Sequence, residues 1–157
     1  MKTGIELRRA FVQDKEILWK MQKEAFAELL ARYEDYDMSP GNESLERVEE
    51  KLSQPFTYFY WIMAENEAVG AIRVVDMKDG SRKKISPLFI MPQHRSRGYA
   101  QAAMAEAERL HGADNWKLGT ILEEAGNCYL YEKIGYRKTG QTEKINDKMT
   151  IVYYEKN

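Results

Sequence analysis

The sequence predicts a mixed α/β (α+β) fold in one domain, residues 1–157. Three observations carry this. A chain of 157 residues, 43% hydrophobic and 31% charged, has the size and composition of one soluble core. Apolar and alternating runs of strand length are separated by turn signals, which gives hairpins. Stretches with helical spacing interrupt those runs near the start and the middle of the chain.

Ile5-Glu6-Leu7-Arg8-Arg9 alternates and reads as a first strand. Asp14 opens a helix whose apolar residues Ile17, Leu18, Met21, Ala25, Leu29 and Leu30 recur at helical spacing. The pattern breaks in the polar stretch from Glu34 to Gly41. Ser44, with Arg47 and Val48, starts a shorter helix that ends near Leu52, ahead of Pro55. Phe56–Ala64 and Ala68–Asp76 are strands joined at Glu65-Asn66-Glu67. After Asp79-Gly80, a strand runs from about Arg82 to Met91. A helix follows from Tyr99 to Leu110, with Ala100, Ala103, Met104, Ala107 and Leu110 on one face. Trp116–Leu122 is a strand, and Tyr136–Thr142 with Met149–Glu155 forms a terminal hairpin about Asn146-Asp147.

Residues 92–100 carry the chemistry. An apolar run, Leu88-Phe89-Ile90-Met91, feeds a basic loop with a glycine, and a helix follows directly. The first N–H groups of a helix lack internal partners and carry the positive end of its dipole. Arg95 and Arg97 add charge, and Gly98 allows close approach to the backbone. The implied ligand carries phosphate. The segment lacks the P-loop pattern and the dinucleotide-binding glycine pattern.

What is present, Arg95-x-x-Gly98-x-Ala100 after a strand and Pro92, resembles the acyl-CoA-binding motif of the GCN5-related N-acetyltransferase (GNAT) family. Tyr131-Glu132-Lys133-Ile134-Gly135-Tyr136 resembles that family's Tyr-Glu-Lys-Leu-Gly-Phe signature, 36 residues after Arg95. The resemblance spans essentially the whole chain. It implies a twisted, mixed, mostly antiparallel sheet of six to seven strands, with helices on both faces and splayed central strands. Pro87 fits that expectation as a bulge where a strand bends; an ordinary edge-strand proline is the plainer reading.

The resemblance implies acetyl-CoA as co-substrate and an amine acceptor that attacks its thioester directly. Phe89, Ile90, Arg95, Ser96, Arg97, Gly98, Tyr99 and Ala100 would bind the cofactor. A backbone N–H near Phe89 and Ile90 would serve the oxyanion. Tyr131 is the candidate acid for the leaving thiolate; as a bland alternative it is a packing aromatic. Glu123 and Glu124, after the strand Trp116–Leu122, are candidate bases, with surface solvation as the competing role. The family often places an asparagine seven residues before the motif tyrosine. Glu124 stands there in this chain, and Asn127 becomes the candidate cofactor contact. The acidic and aromatic stretch Tyr33–Met38 would face the acceptor and suits a cationic amine. An acetyl-CoA-binding sensor without turnover is the alternative from another class.

Bulk properties exclude other readings. With 24 basic and 25 acidic residues, the net charge of −1 offers no general attraction to nucleic acid or an anionic membrane. No apolar stretch has transmembrane length, and the start has no apolar signal region. Cys128 is the sole cysteine, which forbids an internal disulfide and suggests the cytoplasm. A covalent cysteine route would need His94 or His111, neither evidently placed. No Cys/His cluster has metal-ligand spacing, so no metal is expected. The resembled family often forms homodimers.

Overall fold

The computed structural model describes residues 4–157. Among these residues the strands are β1 (Ile5–Arg9), β2 (Thr57–Ala64), β3 (Glu67–Val75), β4 (Lys83–Ile90), β5 (Trp116–Ile121), β6 (Arg137–Asn146) and β7 (Met149–Lys156). The helices are α1 (Lys15–Tyr33), α2 (Leu45–Ser53), α3 (Tyr99–His111) and α4 (Ala125–Lys133). The strands make one sheet in the order β1-β2-β3-β4-β5-β7-β6. Neighbours are antiparallel except β4 and β5, which are parallel. The predicted α/β class with a mixed, mostly antiparallel sheet is therefore what forms.

Local chemistry accounts for the element ends. The Ser44 hydroxyl accepts from the Arg47 amide at 3.1 Å, capping α2. Glu65 and Asn66 both take positive φ, 51° and 65°, as a tight hairpin turn requires. The two faces of the sheet are covered by different helices. Leu18 and Ala25 of α1 and Val48 of α2 pack with Phe59, Ala71 and Phe89. Ala103, Met104 and Ala107 of α3 and Cys128 of α4 pack opposite, with Ile62, Ile72, Trp116 and Tyr154.

Two helical positions depart from the expected pattern. Ile17 is exposed, and α1 instead buries Leu18, Gln22 and Ala25. Gln22 is tolerated there because its amide donates to the Pro40 carbonyl (2.9 Å) and the Glu43 carboxylate (2.8 Å). Leu110 is also exposed. His111, four residues after Ala107, turns inward in its place and meets Asp76 (2.9 Å) and Tyr60 (2.8 Å).

The site is made where β4 changes partners. Ile72 pairs with Leu88 and Val74 with Ile85, so Arg73 alone faces both Ser86 and Pro87. This is the bulge expected at Pro87. The buried Arg73 guanidinium pins it, donating to the Ser86 carbonyl at 2.8 Å as well as to Gln54 and Thr57. Burial holds that guanidinium down at a pKa of about 10. A Cβ on Gly70 would lie 2.0 Å from the Phe89 carbonyl oxygen, so only glycine lets β3 lie this close to β4. On its other side β4 pairs with β5 only at Lys83–Trp116 and Lys84–Lys117. Beyond those pairs the two strands part.

Candidate active site

The opening between β4 and β5 is occupied by two cavities that meet. The larger, about 490 Å³, lies among α1, the end of β4 and the starts of α3 and α4. The smaller, about 250 Å³, runs down β4 and β5 beneath the segment that follows α1. Phe26, Leu29, Leu88, Asn127 and Tyr131 line both.

The larger cavity has the build of an anion cradle at one end. Ser96 and Gly98 take positive φ, 63° and 80°, so the loop leaves regular strand geometry just ahead of α3. Gly98 occupies the N-cap of α3, and the first intrahelical bond is Ala102 N–H to Gly98 O, at 3.0 Å. The earlier amides of α3 are therefore left for a ligand. Arg95, Ser96, Gly98, Tyr99 and Ala100 all line this cavity. Such a donor set suits a phosphate-bearing ligand, and beyond Lys84 the β4 amides on this side have no partner on β5.

The structure modifies three of the expected cofactor contacts. Met91 N–H donates to Val69 O at 2.8 Å, so Met91 and Phe89 turn their polar groups toward β3. Strand alternation then aims the amides of Leu88 and Ile90 into the gap. Phe89 contributes its body to the cavity wall, packed edge-on to Phe26, whereas Leu88 was not anticipated. The Arg95 side chain is committed to the protein, donating to Ile90 O (3.0 Å) and Ala25 O (2.7 Å). It ties the loop to β4 and α1. Arg97 is exposed and lies off the cavity wall.

Tyr131 stands at the junction. Its ring packs against Tyr136 and Tyr154, with centroids 6.1 and 6.2 Å away. Burial, helped by nearby Cys128, pushes its hydroxyl up to about 12. Glu124 lines the larger cavity and accepts from Arg32 (2.7 Å) and from the Tyr33 hydroxyl (2.5 Å). Tyr33 itself lines the smaller cavity, so a phenol joins the Glu124 carboxylate to that side. Glu123 is not brought to either cavity. Its carboxylate accepts from the Thr150 amide at 2.9 Å, since the turn after β5 points it at β7. Asn127 lines both cavities. Cys128 is buried in the core.

The segment after α1 divides its acids. Asp35 is buried on the wall of the smaller cavity, with Oδ1 accepting from the Met38 amide (3.0 Å). Glu34 is paired with Lys148 (2.8 Å), and Asp37 is exposed. Among the described residues no group of three or more His, Cys, Asp or Glu side chains is placed to hold a metal ion. No helix among them is long and apolar enough to cross a membrane.

A family model described as an acetyltransferase (GNAT) domain matches residues 21–157. No curated protein sequence matches the chain. Among solved structures, spermidine N-acetyltransferase from Vibrio cholerae, in complex with CoA and spermine, gives a TM-score of 0.76 at 15% identity. The match covers 98% of this chain and 95% of that one. An acetyltransferase from Thermus thermophilus gives 0.70 at 17% identity, covering 98% and 97%. The PaiA N-acetyltransferase of Thermoplasma acidophilum, in complex with coenzyme A, gives 0.64 at 18% identity, covering 98% and 99%. At these identities the likeness is one of fold.

Proposed function

The chain belongs to the GNAT family and is an acetyltransferase, and on that premise we propose that it transfers the acetyl group of acetyl-CoA to a primary amine of a small molecule or peptide by direct attack in a ternary complex. The observation that carries this reading is the meeting of two cavities at Tyr131, in a gap lined by free strand amides. Acetyl-CoA fills the larger cavity, with its diphosphate on the Ser96–Ala100 amides. The acceptor enters through the smaller. Holding both reactants at one junction replaces a bimolecular encounter with an oriented attack.

The amine nitrogen attacks the thioester carbon, and the oxygen gains charge beside the Leu88 and Ile90 amides, which supply the oxyanion donor. The carbon–sulfur bond then breaks toward Tyr131. With its hydroxyl at about 12 against about 8.5 for an ordinary thiol, full proton transfer is uphill by about 5 kcal/mol. Tyr131 therefore acts by hydrogen-bonding the thiolate as it forms, and water completes the transfer. The incoming amine must be neutral. For an amine of pKa about 10.4, deprotonation at pH 7 costs about 4.6 kcal/mol. Glu124 is the proton acceptor in this reading: the Tyr33 oxygen takes the amine proton as the Tyr33 hydroxyl proton passes to Glu124. Arg32 fixes the carboxylate in place.

A cytoplasmic setting is part of the proposal, supported by the lone cysteine. The test is release of free thiol from acetyl-CoA in the presence of a panel of primary amines. Amine-dependent release supports the enzyme. Tight acetyl-CoA binding with release no faster than hydrolysis would instead assign a sensor.

A further inference from the structure

Among the described residues, the charged side chains lining the smaller cavity are Asp35 and Lys84. They are opposite in sign. Lys84 lies in the last register pair before β4 and β5 separate, directly opposite Lys117. Like charges in register on neighbouring strands repel. No ion pair among the described residues engages either lysine. The surrounding charges do little to relieve them. Arg73 has only neutral partners, and Glu43 is held by Lys51 at 2.6 Å. Glu155, across from Lys117 on β7, is 3.5 Å from Arg82. Both lysines are solvent-exposed, and partial desolvation, then the charges of Arg73, Lys117 and Lys51, lower the Lys84 pKa from its ordinary value.

The reacting end of the cavity, at Leu88 and Tyr131, is four residues along β4 from Lys84, at most about 13 Å of strand. Resting on the acyltransfer reading above, we propose that Lys84, backed by Lys117, is an anion subsite, and that the acceptor is an amine carrying a carboxylate or phosphate on the same molecule. The ammonium end is drawn toward Asp35 and Glu124, and the anionic end settles at the closed foot of the gap. A polyamine fits this cavity badly, because its second ammonium meets Lys84 and Lys117.

The test uses the full-length protein, acetyl-CoA and primary amines of matched chain length: ω-amino carboxylates, their carboxamides, ω-aminoalkyl phosphates and diamines. The acid should exceed its amide in kcat/KM by about two- to fivefold, the size of an ion pair on a solvent-exposed lysine. Whether carboxylate or phosphate is preferred identifies the anion. Lys84→Met should close most of the gap between acid and amide through the acceptor KM, and Lys84→Arg should keep it. Equal or better use of the amide or the diamine overturns the subsite. So does a Lys84→Met variant that loses activity equally on every amine. If no amine supports thiol release, the acyltransfer reading fails separately. Calorimetric titration of the same acids and amides into CoA-saturated protein then decides the subsite alone: Lys84-dependent preference for the acid upholds it, and its absence refutes it.

Discussion

The two cavities that meet at Tyr131 are made of different material. The larger draws its donors from backbone: two positive-φ residues in one loop, the open N-terminus of α3 and the unpaired edge of β4. The smaller is made of side chains from separate segments, including Tyr33, Asp35, Lys84 and Tyr153. Backbone donors recognise a ligand part that every reaction of this kind shares. Side chains can be exchanged without disturbing the strands beneath them, so the proposed reaction assigns acceptor choice to the smaller cavity.

The largest expected effect comes from Gly70→Ala, which attacks the frame of both cavities. Its methyl would press on the Phe89 carbonyl from 2.0 Å, and neither strand can yield without losing pairing. A loss of about 3 kcal/mol in unfolding free energy is expected by chemical denaturation. An unchanged midpoint would show that β4 is not held by this contact. Gly98→Val acts on the backbone-built cavity alone. A β-branched residue at φ 80° is strained by about 2 kcal/mol or more, and CoA affinity should fall about thirtyfold by calorimetry. Retained affinity would break the claim that this turn is the cradle.

Tyr131→Phe probes the shared wall. Turnover should drop about tenfold or more with acetyl-CoA affinity nearly intact, as loss of a single hydrogen bond to a developing charge predicts. The pH profile sharpens this. The proposed role of Tyr131 needs its protonated form, and its raised value keeps it so through pH 10. Any alkaline loss due to Tyr131 should begin only as pH approaches about 12. A decline centred at the ordinary tyrosine value would assign that limb elsewhere. Asp35→Asn is the mildest change. It preserves the acceptor of the Met38 amide and removes one charge, so the amine KM should rise about fivefold, with acetyl-CoA kinetics unmoved.

The same division explains what could be read from the chain. The loop from Arg95 to Ala100 is local, so its strand–turn–helix setting is legible; the residues alone leave Pro87 between a bulge and an edge-strand proline, and pairing with β3 decides for the bulge. Phe89 shows where local reading stops. A bulge shifts the phase of a strand by one residue, so which amides face the gap depends on pairing with β3. Arg95 reads as a phosphate ligand from the sequence, and only the fold shows that its side chain also reaches Ala25 O. The Arg32–Glu124 and Tyr33–Glu124 contacts join residues 92 and 91 positions apart. No spacing rule reports such pairs. Lys84 is one more lysine in the chain until β5 places Lys117 beside it.

The most direct measurement is a crystal structure of the protein with acetyl-CoA bound. The diphosphate should lie within hydrogen-bonding distance of the amides of Ser96 to Ala100, with the thioester between β4 and β5 beside Tyr131. A nucleotide end held anywhere else, or a thioester outside that gap, would contradict the account.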